Sequence, residues 1–272
     1  MKHMNEVHIM QIKKYVFPNM IIEQMNTKFT IEIATTNPDI IVMNQLKNAT
    51  DRISEQLEKI DRDFSPFRYD SLVSKFQRGD KSPLRFSNDF EFIYNSSVLA
   101  EQMTDSIYTS YFAGKYDPSK LVRSWAIEQA FDTCMVPMLK HPNIDGIWLS
   151  DGNQIKVATK QGSDFSWSID IKDSKKSDEI VTTYYLKNGV ISMMEVADNN
   201  TLHAGHNNVK QSIILGNSLI ETGIWAEVSA SADIEKMAAF IGHYHLSGIV
   251  IDRQNSYMNF NNGTISNAKE VF

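Results

Sequence analysis

The sequence predicts an α+β fold, one domain over residues 1–272, with an antiparallel sheet and packed helices. Three observations predict it. Between Met43 and Phe64 apolar residues recur at steps of three and four, the period of a helix with one buried face. From Gly146 onward, short strand-like runs alternate with turns such as Asp151-Gly152-Asn153 and Lys187-Asn188-Gly189, the punctuation of antiparallel hairpins. No internal repeat, low-complexity tract or linker divides the chain.

In chain order, residues 8–17 and 20–24 read as two short strands separated by Pro18-Asn19. Thr27 to Thr35 alternates Phe29, Ile31 and Ile33 as a half-buried strand. Asn37-Pro38-Asp39 is a turn. The amphipathic helix follows, with Met43, Leu46, Ala49 or Thr50, Ile53, Leu57, Ile60 and Phe64 on its inner face. Residues 64–71 form a loop and Leu72 to Phe76 a helical turn. Asn88-Asp89 caps a second helix carrying Ile93, Val98, Leu99 and Met103. A third helix begins after Asp117-Pro118-Ser119 and runs until His141-Pro142 stops it. Gly146–Leu149, Ile155–Thr159, Phe165–Ile171, Ile180–Leu186 and Val190–Val196 read as a meander, followed by a strand at Gln211–Leu215. A helix runs from Trp225 to Ile241, with Val228, Met237 and Phe240 inward. Ser247–Ile251 and Tyr257–Phe260 pair around Arg253-Gln254-Asn255.

With 42% apolar and 22% charged residues, the composition is that of a water-soluble globular chain. The net charge of −6 supplies no basic stripe, so nucleic acid is not an expected partner. Cys134 is the one cysteine. It lies on the apolar side of a helix, which excludes a disulfide framework and reads as a small buried hydrophobe. No apolar run reaches signal-peptide or membrane-spanning length, so the expected location is the cytoplasm, with no membrane span.

Two stretches invite chemistry. The helix opening at Asp117-Pro118-Ser119 presents free backbone N–H groups and places Arg123 in its first turns, a combination suited to phosphate; on this stretch alone an ordinary capped helix with a solvated arginine is the favoured reading. Glu227 and Ser231 stand four apart on one helical face, where a carboxylate and a hydroxyl could hold a hard cation such as Mg²⁺. Glu227 also reads as an acid complementing a helix N-terminus. Other patterns are weaker. His203, His206, His243 and His245 lack acidic or cysteine partners at ligand spacing. Asp61 and Asp63 read as a polar helix end, and Asp170 and Asp173 as strand-end turn residues.

Taken in order, these pieces resemble the ApbE family of FAD:protein FMN transferases over nearly the whole chain. Met25-Asn26-Thr27 looks like the family's Met-Gly-Thr. Asp61-Arg62-Asp63-Phe64-Ser65-Pro66-Phe67-Arg68, then Asp70-Ser71-Leu72, looks like its D-x-x-F-S-x-(F/Y)-R-x-D-S-x segment. Asp117-Pro118-Ser119 through Trp125-Ala126 is similar to D-P-S-G-x-x-K-G-W-A. Leu149–Asn153 sits at the Asn-Ala-Gly-Gly-Asp strand end. Trp167-Ser168-Ile169-Asp170-Ile171 looks like W-x-I-x-I, and Trp225-Ala226-Glu227 through Ala232 like W-A-D-x-x-A-T-A.

The resemblance implies a single ApbE-like, T-fold-related domain and a Mg²⁺-dependent enzyme. Its substrate would be FAD, cleaved so that FMN passes to a threonine or serine of a flavin-accepting protein and AMP leaves. It implies Glu227, Ser231 and Ser119 at the metal and Arg123 and Glu227 in catalysis. Met25, Asn26, Asp117, Ser119, Arg123, Asn153 and Asn199 would line the nucleotide. Arg123 replaces the family's lysine, Glu227 its aspartate, and Ser231 its threonine. Asn26 and Ser124 stand where glycine is usual, Asp151-Gly152-Asn153 replaces Gly-Gly-Asp, and Asp198-Asn199-Asn200 replaces T-S-G. The alternative reading is an impaired member that binds flavin, nucleotide or a protein partner without transferring FMN.

Overall fold

The computed structural model describes residues 14–173, 179–196 and 208–266. Residues 8–13 of the first expected strand lie outside that range; Val16 makes a single antiparallel bridge to Thr35. β1 (Asn19–Gln24) and β2 (Thr27–Thr35) form a hairpin whose two turn residues, Met25 and Asn26, have φ of 51° and 58°. Two left-handed residues match the twist of a tight hairpin, and asparagine tolerates that conformation. That is why Asn26 can occupy a position where the resemblance has glycine.

α1 (Ile40–Phe64) starts where Asp39 Oδ1 accepts the Ile41 and Val42 N–H groups, both at 2.9 Å. Its buried stripe follows the expected period, opening at Val42 rather than Met43. After α2 (Leu72–Gln77) and α3 (Pro83–Phe86), α4 (Asn88–Met103) is capped by the Ser87 hydroxyl, one residue before the expected pair. Its inner face is Phe90, Ile93, Ser97 and Ala100. Val98 and Leu99 face solvent, because a helix burying Phe90 and Ile93 turns them outward.

A short hairpin, β3 (Tyr111–Phe112) and β4 (Lys115–Tyr116), leads into α5 (Ser119–Ala130). One π-helical turn (Phe131–Met135) and one 3₁₀ turn (Val136–Lys140) then carry the chain to His141, the expected stop. Cys134 is buried in this segment, as its apolar surroundings predicted.

β5 (Ile144–Ser150), β6 (Gln154–Thr159), β7 (Trp167–Lys172), β8 (Ile180–Leu186), β9 (Gly189–Glu195) and β10 (Val209–Gly216) occupy the expected strand region. They are antiparallel but not a simple meander. β6 pairs with β9, while β7 and β8 pair only with each other. β7 alternates buried Trp167, Ile169 and Ile171 with exposed Ser168, Asp170 and Lys172, so the hairpin lies by one apolar face on the sheet.

The region read as one helix from Trp225 to Ile241 is two: α6 (Leu219–Ser231) and α7 (Ile234–Tyr244). The break falls where Asp233 accepts the Lys236 N–H at 2.7 Å and starts a new helix. β11 (Ser247–Asp252), β12 (Tyr257–Asn261) and β13 (Thr264–Ser266) complete a nine-stranded antiparallel sheet ordered β1-β2-β5-β6-β9-β10-β11-β12-β13.

Neighbouring β10 residues serve opposite faces. Ile213 packs under the β7–β8 hairpin, and Ile214 packs toward α6 and α7. α1, α4 and α5 close over β2 and β5 on the helical side. No helix among the described residues is long and apolar enough to cross a membrane.

A candidate nucleotide cleft between two helices

Asp117 takes one N–H at the start of α5, that of Ser119, and among the described residues no side chain caps the helix further. Asp117 Oδ1 accepts from the Ser119 N–H at 3.1 Å and from the Ser119 hydroxyl. Asp117 is held in turn by its own N–H on the Ser110 carbonyl at 2.7 Å. α5 buries Leu121, Val122, Trp125, Ala126 and Ile127 against the core, which leaves Lys120 and Arg123 on the open side. Arg123 Nη2 donates to the Met25 carbonyl at 3.2 Å and so ties the β1–β2 turn to the helix.

Two cavities meet at this first turn. One, of about 230 Å³, runs between α5 and α6 and is lined by Ser119, Lys120, Arg123, Asn153, Tyr108 and Glu227, among others. The second, of about 140 Å³, lies toward the β1–β2 turn and is lined by Met25, Asn26, Asp61, Phe67, Ser119 and Arg123. Ser119 and Arg123 belong to both. The sequence reading therefore converges on one place for Met25, Asn26, Asp117, Ser119, Arg123, Asn153 and Glu227. Asn199 lies outside the described residues, as do His203 and His206.

Glu227 is in the third turn of α6, so it does not complement that helix's N-terminus. Its Oε1 instead accepts from Lys120 Nζ at 2.6 Å. Ser231 ends α6 and lines neither cavity. Glu128 holds the N-terminus of α6. Its carboxylate accepts the Leu219 N–H at 2.7 Å, with Lys156 at 3.7 Å. Burial raises its pKa against those bonds and that cation, which lower it.

The cleft floor is polar. Gln154 Nε2 donates to Ser124 Oγ at 2.7 Å and reaches Ser192 Oγ at 3.4 Å, while its Oε1 is buried with no partner among the described residues. Asp151 Oδ1 accepts from the Asn153 and Gln154 N–H groups at 3.0 and 2.7 Å, which fixes the turn that presents Asn153. Tyr108 is buried at the cleft wall. Its phenol pKa is raised first by burial, then by the Glu227 and Asp117 carboxylates, so it stays protonated.

Lys120, Gln154, Ser192 and Tyr108 escape the sequence reading. Lys120 lies inside the stretch singled out for phosphate, whereas Tyr108 follows Ser106-Ile107 with no pattern to mark it. Asp173, read as a turn residue, is buried and receives Lys210 Nζ on both carboxylate oxygens at 2.6 Å. Asp61 lies in the last turn of α1, the polar helix end expected of it, and borders the smaller cavity.

The donor set expected for Mg²⁺ does not assemble. Glu227 is engaged by Lys120, the Ser119 hydroxyl is given to Asp117, and Ser231 is off the cleft. No three His, Cys, Asp or Glu side chains among the described residues gather at one point. Magnesium requires near-octahedral oxygen ligation, usually including a free carboxylate.

No family model matches the chain, and no curated protein matches it in sequence. Its fold, however, is that of the ApbE flavin transferases. The ApbE protein from Thermotoga maritima superposes with a TM-score of 0.70 at 13% identity, over 90% of this chain and 97% of that one. The flavin transferase ApbE from Vibrio cholerae gives 0.65 at 12% identity, over 92% and 98%. The apo flavinyl transferase ApbE from Pseudomonas stutzeri gives 0.65 at 10% identity, over 92% and 97%.

Proposed function

We propose that this protein is a flavin transferase that takes FAD and leaves FMN on a serine or threonine of an acceptor protein. The observation that carries the reading is the sharing of Ser119 and Arg123 between two adjoining cavities. A dinucleotide spans two compartments joined at its pyrophosphate, and a helix start beside a guanidinium suits that junction. In the transfer, the acceptor hydroxyl oxygen attacks the FMN-side phosphorus. The bridging P–O bond breaks, AMP leaves with the bridging oxygen, and the hydroxyl proton passes to Glu227. Arg123 forks onto the phosphate and neutralises charge as it develops, but it cannot exchange a proton. Met25, Asn26 and Asn153 line the rest of the ligand. No step is routed through a metal.

That same guanidinium favours a second reading, a protein that holds flavin nucleotide without transferring it. Titration of FAD by calorimetry, followed by AMP release in the presence of a threonine-containing acceptor, separates the two. Binding with AMP release supports transfer, binding without release supports holding, and no binding removes both.

A further inference from the structure

We propose that the Lys120 ammonium is a tethered cation that replaces a divalent ion at this cleft, so that it binds the pyrophosphate of its nucleotide without metal. The inference rests on the flavin-nucleotide reading above and states how that site handles charge. Lys120 is the second residue of α5, and its Nζ stands 2.6 Å from Glu227 Oε1 on the facing helix. The Glu227 side chain is only 20% exposed, so its charge is partly desolvated and holds a counter-ion firmly. The Lys120 side chain is 69% exposed, and an ammonium has three donors, so donors remain for a ligand in the cleft.

Lys120 and Arg123 stand three apart on one helical face, and both line the same cavity. Together they supply two positive charges to a diphosphate bridge from a single turn of helix. An ammonium and a divalent ion on one carboxylate oxygen repel each other, so the lysine excludes the metal rather than assisting it. The D-P-S-G block that this stretch resembles has glycine at this position, which makes the cation a feature of this chain. Removing the side chain therefore frees Glu227.

The test uses the full chain as wild type, Glu227→Gln, Lys120→Ala, and Lys120→Ala combined with Glu227→Gln. Each is titrated with Mn²⁺ by electron paramagnetic resonance. Each is also titrated by calorimetry with inorganic pyrophosphate and with FAD, in EDTA and in Mg²⁺. Wild type is expected to bind pyrophosphate and FAD with affinities within about twofold in EDTA and in Mg²⁺. Lys120→Ala is expected to lose roughly 10- to 100-fold in EDTA, the scale of one charge-assisted hydrogen bond. It is also expected to gain a Mn²⁺ site that Glu227→Gln removes. A wild-type Mn²⁺ site that Glu227→Gln abolishes, pyrophosphate binding that fails in EDTA, or a Lys120→Ala variant indistinguishable from wild type overturns the proposal. Failure of the flavin reading looks different: the pyrophosphate and Mn²⁺ results hold while FAD does not bind in either buffer.

Discussion

Gly223 of α6 faces Ser124 of α5 across a gap with no room for a side chain. A Cβ at Gly223 would lie 2.9 Å from both the Ser124 hydroxyl and Gln154 Nε2. This close approach sets the distance between the helices and hence places Lys120 opposite Glu227. Ser124, where the resemblance has glycine, is tolerated because its hydroxyl is absorbed by Gln154.

The same gap makes Gly223 the first position to test. Gly223→Val is expected to destabilise the protein by about 1–3 kcal/mol through overpacking and to weaken FAD binding. Gly223→Ala should cost less, since its better helix propensity returns up to about 1 kcal/mol. Thermal unfolding and FAD titration of both variants check this. A Val variant with unchanged melting temperature and unchanged affinity would show that the gap does not position the cleft.

Glu128 gives a pH-dependent prediction. Its pKa in the folded protein is raised above the ordinary 4.5, chiefly by burial. Between those two values the folded state holds more protons than the unfolded one, so this group's contribution to stability falls as pH rises through the window. Glu128→Gln keeps an acceptor for the Leu219 N–H and removes the titration. Melting temperatures from about pH 4 to about pH 7 are expected to move in favour of the variant as pH increases. A difference that stays constant or reverses shows that the carboxylate's bonds to Leu219 and Lys156 outweigh its burial.

The buried pair Lys210–Asp173 holds the end of β7 to β10, with Asn255 accepting from the same ammonium at 3.0 Å. Lys210→Met leaves the Asp173 charge buried beside an apolar side chain and is expected to cost about 3–5 kcal/mol. Adding Asp173→Leu should recover most of that loss, because the buried charge that Lys210 had paired disappears with it. Denaturant unfolding of the single and double variants decides. A double variant as unstable as the single one would locate the cost in lost packing instead.

What the sequence revealed follows the range of the forces involved. α1 is legible because its buried stripe and its Asp39 cap are local, and β8 because turn residues bound a β-rich run on both sides. The α6–α7 break was also written locally. Ser218 with Glu221, and Asp233 with Glu235, mark two helix starts, but the apolar run from Trp225 to Ile241 masks the second. The displacement of β7–β8 from the main sheet was not legible, since a strand's alternation tells which face is buried but not what buries it. In the site, Ser119, Arg123 and Glu227 were found as parts of ordered motifs. Tyr108 and Gln154 reach the cleft only through contacts between distant segments, with Gln154 donating to a serine thirty residues away.

Arg123 offers the sharpest separation of binding from folding. Its guanidinium makes one hydrogen bond to the Met25 carbonyl and borders both cavities, so its removal exposes little core. Arg123→Ala is expected to lower FAD affinity by roughly 10- to 100-fold, the worth of a charge-assisted phosphate contact, with the melting temperature nearly unchanged. Arg123→Lys keeps the charge but loses the planar fork, and should recover only part of the affinity. It also introduces a group able to exchange a proton. If transfer is limited by proton movement at this position, the lysine variant releases AMP faster per bound FAD than wild type does, despite weaker binding. Equal affinity for FAD in all three proteins would remove Arg123 from the pyrophosphate and with it the shared-junction reading of the two cavities.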